Sequence, residues 1–401
     1  MARMKRAMAQ PPEQPVFVVA GNGLQLLDTG PRRMAALLAL IDGAEQSLRV
    51  LYYIYEDDDA GRAVGDALIR AAARGVQVSL IVDGLGSEVA ARAQFFEPIE
   101  AAGVQVCRFI PRLGRKYLLR NHQKLALADE ARVIIGGFNI KDDYFGQPGD
   151  DGAAWRDLGV LVDGPAAARL AGYFDALERW TRRQHAPVRA LARMLRSHSE
   201  TEGAVRWLLG GPTRRLSPWA RTIRHEMKAA ARDRTRIDLI AAYFAPGPAM
   251  LRRLRRAGRR GVVNLVLPAV TDNYMAIWAS RFTYAGLLRR GVRIWEYQPT
   301  KLHTKLVVIG GVVHVGSANF DIRSLFLNLE LMLRVEDPDF AAHVRAYVDG
   351  EIAQSRRIAA ADHRAAMTPW TRIKQAAAYA VMAVLDPQIS RRLLAWGERR
   401  N

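Results

Sequence analysis

Two histidines, each followed two residues later by a lysine, have the types and spacing needed for chemistry. His122 and Lys124 form the first pair, and His303 and Lys305 form the second. An imidazole can attack phosphorus or move a proton near neutral pH. A lysine ammonium can neutralise a non-bridging phosphate oxygen. One such pair would mean little, but two pairs in one chain predict transfer chemistry on a phosphodiester at a shared site.

Each pair precedes a glycine-rich turn that contains an asparagine. The first turn includes Gly137 and Asn139, and the second includes Ser317 and Asn319. Such turns let the backbone and an amide side chain approach a ligand closely. We therefore predict that these four residues bind the substrate phosphate. The sequence contains no His, Cys and Asp cluster with metal-ligand spacing, so we expect neither a metal nor another cofactor.

The two motifs differ at one position. Asp129 follows the first pair and is predicted to belong to the catalytic set, whereas Gly310 occupies the corresponding place in the second motif. If the aspartate mainly ties a hairpin turn, its loss in the second copy is tolerable. If it tunes the histidine, the second half is weakened. We favour tolerance, because both histidines, both lysines and both asparagines are present.

The elements that must position these residues also occur twice, at an offset of roughly 180 residues. Residues 48–54, 65–74 and 75–83 predict a strand, a helix and a strand. The corresponding segments of the second half are 237–244, 251–260 and 261–267. This alternation predicts α/β units around parallel or mixed sheets. Each histidine and its lysine are predicted to lie on one face of a further strand, since residues two apart point the same way.

The chain length of 401 residues suits two domains. The predicted divisions are an N-terminal extension over 1–22, a first domain over 23–180, a linker over 181–213, a second domain over 214–360 and a C-terminal amphipathic helical segment over 361–401.

The formal charge of +19 predicts a polyanionic partner, either nucleic acid or an anionic membrane surface. Trp370, Trp396 and several arginines in the C-terminal segment suit a helix in the lipid headgroup region, although the segment could equally pack on the domains. No aromatic platform for nucleic acid is evident, so the membrane is favoured. The lone Cys107 and the absence of a signal peptide or a long apolar run predict a cytoplasmic protein, peripheral to the inner face of the cell membrane.

The paired motifs resemble those of the phospholipase D superfamily, and most closely those of bacterial cardiolipin synthases that lack N-terminal transmembrane helices. The similarity extends from about Gly23 to the C-terminus and includes residues 80–84, 155–157 and 317–330. It implies two phospholipase D-like α/β/α domains related by pseudo-two-fold symmetry, with the active site at their interface and a helical C-terminal extension.

The resemblance also implies individual roles. His122 matches the nucleophile of the family and His303 its general acid and base, although the near symmetry of the sequence does not itself order them. Glu330 matches the acid that orients the histidine of the second motif, and Asp157 holds the equivalent place in the first copy. We therefore expect each carboxylate to orient the histidine of its own half.

The leading functional hypothesis is transfer of a phosphatidyl group between phospholipids through a covalent phosphohistidine, for example from one phosphatidylglycerol to another. The substrates and the anionic membrane surface would then be the partners, and no protein partner is inferred. The alternatives are a phospholipase D that uses water or small alcohols, a metal-independent nuclease, and a non-enzymatic lipid-binding scaffold.

Overall fold

In the computed structural model, the described residues are 13–110, 119–146, 154–183, 186–213 and 216–385. Two large mixed sheets organise them, one in each half of the chain. The strands of the first sheet are β1 (Val16–Val19), β2 (Asn22–Leu27), β3 (Ser47–Tyr52), β4 (Gln77–Asp83), β5 (Gln105–Phe109), β6 (Leu125–Ala128), β7 (Arg132–Gly136) and β8 (Gly159–Asp163).

The second half repeats this arrangement. Its strands are β9 (Val205–Gly210), β10 (Ile237–Ile240), β11 (Phe244–Ala245), β12 (Val263–Pro268), β13 (Arg293–Tyr297), β14 (Leu306–Ile309), β15 (Val312–Gly316), β16 (Phe320–Asp321), β17 (Glu330–Glu336) and β18 (Ser355–Arg357). β11 and β16 pair separately from the large sheet.

The strand order shows the internal repeat directly. The first sheet runs β1-β2-β8-β7-β6-β3-β4-β5. The second, given from the matching edge, runs β9-β17-β15-β14-β10-β12-β13-β18, so that β9 corresponds to β2. In both sheets the early strands are parallel, as in β3 with β4 and β10 with β12, and the later hairpin is antiparallel. The predicted α/β class and the internal repeat around two mixed sheets are confirmed.

Helices cover both sheets. They are α1 (Gly30–Asp42), α2 (Asp59–Ala73), α3 (Glu88–Arg92), α4 (Glu97–Ala101), α5 (Pro165–Ala168), α6 (Ala171–Arg182), α7 (Val188–Ser197), α8 (Pro218–Asp233), α9 (Pro248–Gly258), α10 (Tyr274–Leu288), α11 (Ile322–Phe326), α12 (Pro338–Ala353), α13 (Ala360–Ala365) and α14 (Pro369–Ala380), followed by a π-helical turn at Val381–Leu385.

The two sheets pack against each other, because their strands are buried on both faces. Leu51 and Leu125 of the first sheet join Val308 and Val315 of the second in one apolar core that both halves share. The opposite faces pack against helices in two separate outer cores. Near-continuous apolar strands are expected where both faces are covered. The shared core fixes the orientation of one half against the other, and therefore the geometry of any site between them.

Two predicted segments contain strands of the sheets. β1 lies in the predicted N-terminal extension, and β9 lies in the predicted linker, where it pairs with β17. The predicted C-terminal segment forms α13 and α14 and then extends beyond the described residues, so the expectation for Trp396 lies outside them. Within the described ranges, none of the helices is both long and apolar enough to cross a membrane.

Candidate active site

The segment that carries His122 is held by the other half of the chain. It is extended and comes just before β6, so the prediction that His122 and Lys124 lie within a strand is wrong. The His122 amide donates to the Leu329 carbonyl at 2.9 Å, and the Leu329 amide donates to the Arg120 carbonyl at 2.8 Å. The two halves are thus joined by backbone hydrogen bonds beside the first histidine.

The segment that carries His303 is held in the same way. The His303 amide donates to the Arg156 carbonyl at 2.7 Å, and the Arg156 amide donates to the Lys301 carbonyl at 2.8 Å. His303 and Lys305 also lie before their strand, β14, rather than within it. Each motif therefore crosses to the opposite half, which brings the two histidines into one site.

This exchange determines which carboxylate meets which histidine. His122 Nδ1 lies 3.1 Å from Glu330 Oε2, and His303 Nδ1 lies 2.7 Å from Asp157 Oδ2. The expectation that each acid orients the histidine of its own half is wrong. The reason is geometric, because Leu329 and Arg156, which pair with the crossing segments, directly precede Glu330 and Asp157.

The two turns serve these carboxylates. Ser317 Oγ donates to Glu330 Oε2 at 2.5 Å and accepts from the Leu331 amide at 3.0 Å. At Gly137, a Cβ atom would lie 2.5 Å from Asp157 Oδ1, so only glycine allows the carboxylate to approach. The Ser317 hydroxyl thus hydrogen-bonds one carboxylate and Gly137 makes room for the other, and a role of these two residues in binding phosphate stays a prediction.

Both lysines are buried beside their own histidines. Lys124 Nζ donates to the His122 carbonyl at 2.6 Å, and Lys305 Nζ donates to the His303 carbonyl. Lys305 Nζ is also 2.7 Å from His303 Nδ1. Burial lowers the pKa of Lys305 to about 8 and that of Lys124 well below its usual value. An arriving phosphate anion would raise both pKa values and so favour the ammonium forms.

Burial and the nearby lysines favour the neutral form of both imidazoles. Burial first, and then Lys124, lower the pKa of His122. Burial and Lys305 lower the pKa of His303 to about 3. Burial alone would raise the pKa of Asp157 and of Glu330, but the facing lysines and histidines outweigh it and both pKa values lie below their usual range. The site thus pairs two ionised carboxylates with two neutral imidazoles.

The arrangement leaves the same ring nitrogen available on both histidines. Each Nδ1 faces a carboxylate, and each Nε2 has no hydrogen-bond partner among the described residues. A carboxylate that accepts from Nδ1–H places the lone pair of the neutral ring on Nε2. Two such nitrogens are suited to attack at phosphorus from one ring and proton transfer from the other.

The two asparagines are not equivalent. Asn139 Oδ1 accepts from the Ile54 amide at 3.1 Å, and Asn139 Nδ2 donates to the Tyr144 hydroxyl at 3.0 Å. Asn319 Oδ1 is buried and lacks a partner within the described part of the chain. Asn139 therefore ties the segment after β3 to its own turn, whereas Asn319 Nδ2, which has no hydrogen-bond partner among the described residues, can donate to a ligand oxygen.

Asp129 is not part of the site. It lies in the turn between β6 and β7, at the end of β6 opposite to His122. Its carboxylate accepts from the amides of Glu45, Gln46 and Ser47 at 2.8 to 2.9 Å. The prediction of a catalytic role is corrected to that of a hairpin tie.

The second hairpin closes without an aspartate. Gly310 takes the turn with a φ of 56°, close to the 52° of Asp129. Its amide donates to the Arg236 carbonyl at 3.2 Å, and its carbonyl accepts from Arg345 at 2.7 Å. The missing aspartate is thus replaced by a different set of hydrogen bonds away from His303.

Comparison with known proteins identifies the family. The family model described as cardiolipin synthase, PLD-like domain, matches residues 37–177 and 223–351. Cardiolipin synthase A of Pseudomonas fluorescens is 33% identical over 353 residues, which are 86% of this chain and 72% of the relative. Cardiolipin synthase A of Pseudomonas putida strain GB-1 is 32% identical over 366 residues, 90% of this chain and 74% of the relative.

The chain belongs to the phospholipase D-like family of cardiolipin synthases. The predicted family and the predicted enzyme class, a phospholipase D-type phosphatidyltransferase, are confirmed.

Solved structures support the fold alone. Phosphatidylserine synthase of Haemophilus influenzae aligns with a TM-score of 0.64 at 14% identity, covering 94% of this chain and 93% of that one. Polyphosphate kinase of Porphyromonas gingivalis aligns with a TM-score of 0.56 at 16% identity, covering 96% of this chain and 54% of that one.

This phospholipase D-like site also depends on residues that the sequence motifs do not include. Arg33 of α1 is buried, and its guanidinium donates to the carbonyls of Asp157 and Tyr144 at 2.5 and 2.6 Å. Asp83, at the end of β4, accepts from the Asn121 amide at 2.8 Å and so fixes the residue before His122. A polar residue at the end of a predicted strand is a signal that points to Asp83, but Arg33 has no comparable signal in a chain so rich in arginine.

Aromatic rings enclose the two imidazoles. The Tyr53 ring lies 4.9 Å from that of His122, and the Tyr144 and Trp155 rings each lie 5.2 Å from that of His303. These rings desolvate the histidines and shape the space around them, which strengthens electrostatic interactions inside the site.

Proposed function

We propose that the protein transfers a phosphatidyl group from one phosphatidylglycerol to the hydroxyl of another, giving cardiolipin and glycerol, at a membrane surface. The observation that carries the proposal is the pair of buried histidines, one from each half, whose Nδ1 atoms face Glu330 and Asp157. The names of the relatives, cardiolipin synthase A, support the choice of lipid.

In the first step, His122 Nε2 attacks the phosphorus of the donor lipid. A phosphorus–nitrogen bond forms, and the bond from phosphorus to the headgroup glycerol breaks. His303, once protonated in the presence of the bound phosphodiester anion, gives its proton to the departing glycerol oxygen. Lys124, Lys305 and Asn319 face the charge that develops on the phosphoryl oxygens.

In the second step, neutral His303 accepts the proton of the acceptor hydroxyl. The acceptor oxygen attacks phosphorus, the phosphorus–nitrogen bond breaks, and His122 is released. Water as the acceptor would give phosphatidic acid instead, so the outcome depends on how well the closed site excludes water.

The family resemblance assigns the attack to His122. The pKa of His303 is lowered to about 3, so this ring is neutral and is also suited to act as the nucleophile. Both rings present Nε2 without a hydrogen-bond partner among the described residues, and adduct mapping distinguishes the two orders.

Product analysis tests the proposal. Purified protein with labelled phosphatidylglycerol in vesicles should form cardiolipin and glycerol in equal amounts, without added metal. Phosphatidic acid as the only lipid product would contradict the transferase and favour hydrolysis. Cleavage of DNA with no turnover of any phospholipid would contradict both and favour the nuclease.

A further inference from the structure

Exposed large apolar side chains are concentrated in one part of the second half. Apart from Val16 and Val18 on β1 and Val89 on α3, those of the described residues lie on α10, on α14 and its π-helical turn, or just after β5 and β12. Single exposed apolar residues are normal on a protein surface, whereas a contiguous set marks an interaction site.

The largest set forms a surface between two helices, the α10–α14 surface. It is formed by Tyr274, Trp278 and Phe282 of α10 and by Trp370, Ile373 and Lys374 of α14. The α10 residues are four apart and share one face of the helix. Tyr274 is 68% exposed and Trp370 is 63% exposed. Lys374 Nζ lies 5.6 Å from both the Trp278 and the Trp370 ring centroids, which joins the two helices across the surface.

The opposite side of α14 is firmly packed. Tyr379 is buried, stacks on Phe282 at 4.9 Å between ring centroids, and donates from its hydroxyl to the Pro246 carbonyl at 2.8 Å. Gln375 and Ala378 are also buried. Because α14 is fixed by this inner face, the exposed side chains form a preformed surface.

The surface begins at the active site. α10 starts at Tyr274, two residues after Asp272, whose carboxylate accepts from the Tyr243 hydroxyl at 3.1 Å. The Tyr243 ring lies 6.5 Å from that of His303. A partner seated on the α10–α14 surface would therefore lie near the side of the site that Tyr243 forms.

We infer that the α10–α14 surface inserts into the headgroup layer of an anionic phospholipid bilayer and so presents the active site to lipid. Tyrosine and tryptophan favour this layer because one end of each ring is apolar and the other is polar. Neither helix contains an acidic residue, and Arg372 and Lys374 are exposed on α14, which suits anionic headgroups. The inference rests on the proposed function for its biological meaning.

Vesicle binding tests the inference. Full-length protein is mixed with phosphatidylcholine vesicles, with and without phosphatidylglycerol, and the bound fraction is measured by flotation. The double variant Trp278→Gln/Trp370→Gln should lower partitioning onto vesicles with phosphatidylglycerol by at least about tenfold, because two large apolar groups no longer leave water. Lys374→Glu should reduce the preference for phosphatidylglycerol. The matched control Val16→Gln/Val18→Gln, on exposed apolar residues of β1, should bind as the unmodified protein does.

A second measurement separates this inference from the proposed function. On short-chain phosphatidylglycerol below its micelle-forming concentration, the double variant should retain the unmodified turnover, which also shows that it is folded. Unchanged vesicle binding by the double variant would overturn the inference. A shift of the variant from dimer to monomer with unchanged vesicle binding would also overturn it, in favour of a second copy of the chain. If the unmodified protein binds vesicles through this surface but turns over no phosphatidylglycerol, the proposed function fails and the surface stands.

Discussion

His122 takes its orienting carboxylate from the other half of the chain, with Nδ1 3.1 Å from Glu330 Oε2. His303 does the same, with Nδ1 2.7 Å from Asp157 Oδ2. Neither half therefore contains a complete histidine and carboxylate pair. The shared apolar core and the backbone bonds at Leu329 and Arg156 are what bring the two pairs together.

This crossed pairing predicts which variants behave alike. Glu330→Gln should act like His122→Ala, and Asp157→Asn should act like His303→Ala. With phosphatidylglycerol, we expect each carboxamide variant to lose about 10²–10⁴-fold in kcat, the usual contribution of acid–base catalysis.

A substrate with a good leaving group separates the two classes. Phosphatidyl-p-nitrophenol needs no proton to release its leaving group. If His303 is the general acid, His303→Ala and Asp157→Asn should both recover a rapid first release of about one equivalent of p-nitrophenol, and His122→Ala and Glu330→Gln should not. If the recovered pair is His303→Ala with Glu330→Gln, the crossed pairing is contradicted.

Asn139 and Asn319 should respond differently to the same substitution. Asn139→Ala leaves the Ile54 amide and the Tyr144 hydroxyl without their partner, so the free energy of unfolding should fall by about 2 kcal/mol. Asn319→Ala removes a side chain whose Oδ1 has no partner among the described residues, so stability should change by less than about 1 kcal/mol. Its kcat/KM should fall by about 10²-fold through the loss of a phosphate contact. Urea unfolding and steady-state kinetics measure the two effects, and equal loss of stability in both variants would count against the difference.

Asp129 should matter for stability and not for chemistry. Asp129→Ala removes the acceptor of three backbone amides at a partly exposed turn, with an expected loss of about 1 kcal/mol in the free energy of unfolding. These hydrogen bonds outweigh burial and lower the pKa of Asp129, so its stabilising effect is present above its ordinary pKa and is lost as the pH falls through the lower folded value. Turnover at 25 °C and neutral pH should be unchanged. A large loss of kcat in a variant that unfolds like the unmodified protein would restore a catalytic role.

Anion binding should be accompanied by proton uptake. Burial and Lys305 lower the pKa of His303 to about 3, so the ring is neutral at pH 6. A bound anion raises this pKa, and protons are taken up at any pH between the free and the bound values. Sulfate does not itself titrate near neutrality and is a suitable probe. Calorimetry at pH 6 in buffers of different ionisation enthalpy should show uptake, and this uptake should be smaller in His303→Asn. Equal uptake in the two proteins would assign the proton to another group.

Sequence patterns were sufficient for the repeat, the mixed sheets and the two histidine–lysine pairs, because these depend on local periodicity and on recurring residue types. They were not sufficient for the crossed carboxylates. Spacing along the chain does not show that the segments before β6 and β14 pair with Leu329 and Arg156 of the opposite halves.

The same limit explains the residues whose roles changed. Asp129 and Asn139 follow the motif, but their partners at Glu45 and Ile54 are distant in sequence and are determined by how the strands pack. Ser317 lies two residues before Asn319 in the sequence, whereas its hydroxyl points back to Glu330. The role of Arg33 depends on its hydrogen bonds to the carbonyls of Asp157 and Tyr144, which are distant from it in the sequence.

The most direct test of the account is to map the covalent intermediate during turnover of phosphatidylglycerol. The unmodified enzyme is quenched during turnover, and His303→Asn is quenched after reaction with phosphatidyl-p-nitrophenol, whose leaving group needs no proton. Both are quenched in base, where phosphohistidine is stable, and peptides are analysed by mass spectrometry. We predict a phosphatidyl adduct on His122 that is absent from His122→Asn. An adduct on His303 in the unmodified enzyme would reverse the two roles. Formation of cardiolipin by the unmodified enzyme with no adduct on either histidine would contradict the phosphohistidine mechanism itself.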